Sequence, residues 1–193
     1  RFASTPESIL DTQQSVIQYA HSNGKQSCLT SGVAIHSLRA VAQAEILSLT
    51  SLSGSAPVHI HVAEQTKEVA DCIAHTGLRP VEWLLAHAKL DARWNLVHAT
   101  HSTVAEINGI QAQQASVVIC PTTEANLGDG FFDLPEALRQ NMRWSIGTDS
   151  HVNRNWTEEL RWLEYGCRLS LRKRNVSLLH QNGLGSTGQV LFE

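Results

Sequence analysis

The chain has 193 residues, 42% of them hydrophobic and 17% charged, and a formal net charge of −3. These values suit a globular domain with a sizeable core. They give no case for nucleic acid, because the basic stretch R-L-S-L-R-K-R-N (168–175) reads as the end of a helix, where cations suit the dipole. No segment approaches the ~18 consecutive apolar residues of a membrane span.

The cysteines Cys28, Cys72, Cys120 and Cys167 are far apart and form no C-x-x-C, so reduced thiols in a cytoplasmic protein are expected. The chain starts at Arg1 with no methionine or signal pattern. It ends at G-S-T-G-Q-V-L-F-E (185–193), which reads as the start of another helix. Both ends point to a piece of a longer protein.

The pattern alternates helix and strand. Residues 5–22 predict a helix, with Thr5 as N-cap, Pro6 at its first position and Gly24 just past its end. A strand is expected at 30–35, a helix at 38–52 with apolar residues at helical spacing, and a strand at 57–63. Helices at 66–76 and 80–88, a strand at 94–98, a helix at 102–113 and a strand at 116–120 follow. A loop at 121–131, a short helix at 133–140, a strand at 143–147 and a helix at 156–172 complete the reading. Strands separated by helices imply a parallel sheet. That sheet is either doubly wound or the second part of an eight-stranded barrel, which needs ~250 residues in full. No Gly-x-Gly-x-x-Gly follows a strand, which weakens a nucleotide-binding version.

Polar residues stand at three of the expected strand ends: V-H-I-H-V-A-E-Q (58–65), N-L-V-H-A-T-H (95–101) and S-I-G-T-D-S-H (145–151). His61, Glu64, His98 and Asp149 together can hold one divalent metal and move protons, and residues at the C-terminal ends of barrel strands read as catalytic. His59 shares a face with His61 but is more simply a hydrogen-bonded core residue. His101 is more simply the start of the next helix, and Ser150 and His151 shape their loop. Arg39 opens a helix after a strand, where a guanidinium can fork onto a carboxylate, and His36 before it is a pocket candidate. Glu124 and Asn126 in C-P-T-T-E-A-N-L-G-D-G (120–130) either line the pocket or bond their loop.

These stretches, with G-V-A-I-H-S-L-R-A-V (32–41), R-P-V-E-W-L-L (79–85) and E-E-L-R-W-L-E-Y-G (158–166), resemble the amidohydrolase superfamily. Within it they are most similar to the branch that hydrolyses the formimino group of N-formimino-L-glutamate in histidine degradation. The resemblance implies an α/β fold, a partial TIM-like (β/α)8 barrel of the metal-dependent hydrolase type covering about strands 4 to 8. Residues 1–193 would be its C-terminal part, without the first strands and the family's small β-domain.

The implied products are N-formyl-L-glutamate and ammonia, and the implied cofactor is a single Zn2+ held by His61 and Asp149, with another divalent metal as an alternative. Glu64 would carry the proton, His98 would orient the attacking water or polarise the imine, and Asp149 would also accept a proton. Arg39, His36, Glu124 and Asn126 would bind a substrate bearing carboxylates, and a homodimer is compatible with the resemblance. The family's H-x-H on its first strand is absent, since Glu64 marks His59-Ile60-His61 as a later strand. Ile35 stands where a proline is expected before His36. A deaminase of a purine or other cyclic amidine is an alternative, as is an inactive piece serving only as an interaction module. Two ligands hold a catalytic metal poorly, so the isolated chain is expected to be inactive. Half a barrel leaves two unpaired strand edges, so it is also expected to be unstable or to aggregate.

Overall fold

The computed structural model describes residues 4–178 and 185–192. Five parallel strands form one sheet: β1 (Val33–Ser37), β2 (Val58–Val62), β3 (Trp94–His98), β4 (Ser116–Ile119) and β5 (Trp144–Ile146). Helices α1 (Pro6–Ser22), α2 (Gln43–Leu52), α3 (Thr66–Thr76), α4 (Pro80–His87) and α5 (Val104–Ala112) occupy the first part of the chain. Helices α6 (Pro121–Leu127), α7 (Leu134–Arg139), α8 (Trp156–Leu171) and α9 (Thr187–Phe192) follow. The strand order is sequential, β1-β2-β3-β4-β5. A doubly wound sheet reverses direction at a switch point; a barrel does not. The sheet is therefore part of an α/β barrel.

Alternation decides which face packs. In β2, Val58, Ile60 and Val62 are fully buried, while His59 is exposed and His61 half-buried. The buried set joins Trp94, Leu96, Val117 and Ile119 of the next strands against Leu84, Ile107 and Ile110 of the helices. The core thus lies between the sheet and its helices. The opposite face carries His59, Asn95 and Ser116 in register, with the Ser116 hydroxyl donating to Asn95 Oδ1 at 2.6 Å.

Several local expectations need correction. The first strand is Val33–Ser37 rather than 30–35, because Val33 is the first residue to align with β2, opposite Val58. The helix expected at 38–52 begins only at Gln43; Ala42 is its N-cap and the preceding residues form a turn. Residues 121–127, expected as loop, form α6. Its Pro121 takes the first helical turn, and Gly128 closes it at φ 75°. His101 lies in the turn before α5, whose N-cap is Thr103.

Among the described residues β1 pairs only with β2, and β5 only with β4. Two open edges are templates for further pairing. The 193-residue chain alone should therefore self-associate, as read by light scattering and calorimetry; a monomer with a sharp, cooperative melt would count against this.

Candidate active site

The site is built on the ends of β2, β3 and β5. Beyond β2 and β3 the ladder continues in irregular form: Ala99 N–H donates to the Val62 carbonyl and His101 N–H to that of Ala63, each at 3.0 Å. Ala63, His98 and Ala99 take φ values of 51°, 70° and 52°. Such left-handed conformations in non-glycine residues persist only where the surroundings enforce them. At Ala63 the enforcement comes from Glu68 in the first turn of α3. Its buried carboxylate accepts from Ala63 N–H at 3.0 Å and Glu64 N–H at 2.9 Å. The turn that carries Glu64 is thereby tied to the helix that follows it.

The third element ends in a close approach. A Cβ on Gly147 would lie 3.2 Å from both Cys120 Sγ and Val118 Cγ1, so the backbone passes there because residue 147 is small. Gly147 N–H extends the ladder to Ile119 at 2.9 Å. The loop then turns at Asp149, φ 41°. Ser150, expected to shape this loop, lies 3.0 Å from Thr123 Oγ1 of α6, hydroxyl to hydroxyl.

These devices bring His61, His98 and Asp149 together, with one ligand atom of each within 4.8 Å of the others. His61 Nε2 lies 4.0 Å from Asp149 Oδ1, and His98 Nε2 lies 3.7 Å from Glu64 Oε1. The His61 and His98 rings stack at a centroid distance of 5.6 Å. His61 Nδ1 is 2.9 Å from the His36 carbonyl. A carbonyl can only accept, so Nδ1 carries the proton and Nε2 presents its lone pair beside Asp149. This is how an outer partner orients a metal-binding histidine. The donor set of two imidazoles and a carboxylate fits a divalent cation. His59 lies outside the cluster; although the residue is exposed, partial desolvation of its ring, with His61 beside it, lowers its pKa.

His98 is enclosed, its side chain 1% exposed. Burial opposes a charge on it. The Glu124 hydrogen bond and the carboxylates of Glu64, Glu124 and Asp149 outweigh that and raise its pKa. A bound cation would act in the opposite sense.

The remaining expected residues divide. His36 lies against His61, ring centroids 5.7 Å apart. Glu124 is buried and bonded to His98 Nδ1 at 3.2 Å. Arg39 is exposed and lines a cavity against Cys72 and His75 of α3, with no described contact to the cluster. Asn126 is exposed beside Val152 and Trp162. Glu68 was not singled out from the sequence. Its signal is the Q-T-K-E spacing (65–68), in which an acid three residues after the N-cap reaches back to free backbone N–H groups.

Residues 3–181 match the family model described as "Amidohydrolase family". The chain belongs to the amidohydrolase family. It is 47% identical over 163 residues to the formimidoylglutamate deiminase of Pseudomonas aeruginosa, covering 84% of this chain and 36% of that protein. It is 32% identical over 131 residues to 5-methylthioadenosine/S-adenosylhomocysteine deaminase 2 of Archaeoglobus fulgidus, covering 67% and 32%. Among solved structures, an amidohydrolase from Brucella melitensis superposes with a TM-score of 0.91 at 47% identity, over 100% of this chain and 42% of that one. A zinc-bound adenosine deaminase from Xanthomonas campestris gives 0.73 at 27% identity, over 81% and 37%. The chain thus spans about a third of the length of these curated relatives.

Replacing Glu68 with Ala should leave the buried N–H groups of Ala63 and Glu64 unpaired. The expected cost is about 1–3 kcal/mol in urea unfolding of the full-length amidohydrolase, with no change in the unfolding slope.

Proposed function

We propose that the full-length amidohydrolase hydrolyses the formimino group of N-formimino-L-glutamate, giving N-formyl-L-glutamate and ammonia, within histidine degradation. The observation that carries this reading is the convergence of His61, His98 and Asp149 within 4.8 Å, with Glu64 at 3.7 Å from His98. The 47% identity to a formimidoylglutamate deiminase supports it.

His61 and Asp149 would hold a divalent cation, with zinc as our assignment. When bound, it supplies Lewis acidity to the amidine and to water. Glu64 takes a proton from the attacking water and returns it to the terminal nitrogen. Water adds to the amidine carbon. Asp149 then accepts the proton of the new hydroxyl and that proton passes to the terminal amino group, so the C–N bond breaks with formation of the formyl carbonyl and release of ammonia. His98 holds the adding water or the imine nitrogen in line. Such proton carriage by a placed carboxylate contributes about 10²–10⁴-fold.

His36 and Arg39 are assigned to the glutamyl carboxylates. Arg39 has no ion pair among the described residues, which leaves its guanidinium available to an anion. The described ring contacts at the site are histidine to histidine, which favours a linear amidine over a flat purine. Relatives that deaminate adenosine derivatives keep the purine reading as the second one.

Ammonia release from N-formimino-L-glutamate by the full-length protein is the direct test. Glu64→Gln should lower kcat by about 10²–10⁴-fold with bound metal retained. Turnover of 5′-methylthioadenosine but not of the formimino substrate would reverse the assignment.

A further inference from the structure

The C-P-T-T-E-A-N-L-G-D-G stretch leaves one residue whose place the proposed reaction does not explain. Glu124 has a side chain only 3% exposed, beneath His98. It is too enclosed to line a substrate pocket. Its Oε1 stands 3.2 Å from His98 Nδ1 and accepts the Cys120 backbone N–H at 2.9 Å. On the opposite side of the ring, His98 Nε2 faces Glu64 Oε1 at 3.7 Å. The imidazole therefore lies between two carboxylates, one enclosed and anchored, the other at the reacting end.

We propose that Glu124 is a positioning residue, holding His98 as its Nδ1–H tautomer with Nε2 turned to the substrate. The inference rests on the reading of His98 as a group of the hydrolytic site. A carboxylate oxygen that already takes one backbone N–H offers only acceptor sites, so the neutral ring keeps its proton on Nδ1. Nε2 then has a lone pair to receive a hydrogen from the adding water.

The anchor is itself fixed. Thr122, on the same short helix, gives its N–H to Glu159 of α8 at 2.9 Å and its hydroxyl at 2.6 Å, and Glu159 is fully buried. The E-E-L-R-W-L-E-Y-G stretch thereby acquires a role: it clamps the helix that clamps His98. Without the Glu124 oxygen the ring is free to exchange its proton between nitrogens or to turn over. Loss of such an outer partner typically costs 10–100-fold.

The test uses the full-length, metal-loaded protein with 15N in the histidine rings, the His98 signals being assigned by their loss in His98→Gln. The expected wild-type spectrum has the neutral His98 ring protonated at Nδ1. Glu124→Gln keeps an acceptor oxygen for both donors and should keep the tautomer and most of kcat. Glu124→Leu should lower kcat by about 10–100-fold with KM and bound metal unchanged. An Nε2–H ring in the wild type overturns the proposal, as does a metal-loaded Leu variant with full kcat. Should the Leu variant fail to fold, the wild-type spectrum decides alone. An Nδ1–H ring in a protein that leaves the formimino substrate untouched upholds the positioning role and sinks only the proposed reaction.

Discussion

Parallel, sequential pairing is the constraint on which the rest of this molecule depends. Because neighbouring strands run the same way, their C-terminal ends open at one end of the sheet. The register sets Val62 beside His98 and Ile119 beside Ile146. His61 and His98 therefore meet as neighbours, although a helix pair separates them in the chain, and Asp149 joins them from the loop after β5. A slip of one residue in β2 would send His61 to the helix side and Ile60 to the site. Fully buried Ile60 and Val62 oppose that slip, since the slipped strand would bring histidines into the core.

A second device recurs around this register. Buried glutamates fasten irregular backbone. Glu68 holds the turn after β2, and Glu106 caps α5 while pairing with Arg79 at 3.0 Å. Glu124 holds the end of β4, Glu159 the start of α6, and Glu164 the segment from Val176 to Ser177. Each places a carboxylate where backbone N–H groups lack a strand or helix partner, and charge-assisted bonds of this kind are among the stronger ones. The loops at the site are thus held by fixed acceptors as well as by packing. That explains how a non-glycine residue such as Ala63 stays in a left-handed conformation.

Much of this was legible in the sequence, for reasons that can be traced. The V-H-I-H-V and N-L-V-H runs announce strands because apolar residues recur where a sheet face needs them, and polar ones stand where a site opens. The convergence of His61, His98 and Asp149 was legible because each follows an apolar run at a strand end, and parallel strands bring such ends together. Three features were hidden. The run Leu38 to Val41 has helical spacing but lies in a turn, since spacing alone does not tell a turn from a helix start. Pro121 and Gly128 look like loop residues until they are seen as the two ends of a single short helix. Glu124 reads as a pocket residue because nothing local shows that it lies beneath His98.

One contact reaches further than its position suggests. The Phe131 ring rests on Gly166 so closely that a Cβ there would lie 2.3 Å from the ring. Phe131 follows Gly130, which approaches Thr100 and His101 beyond β3. The loop after α6 is therefore seated on α8 at a residue that carries no side chain. Any side chain added at residue 166 would have to push the partly exposed Phe131 ring aside, so the seat of this loop depends on an emptiness in the helix.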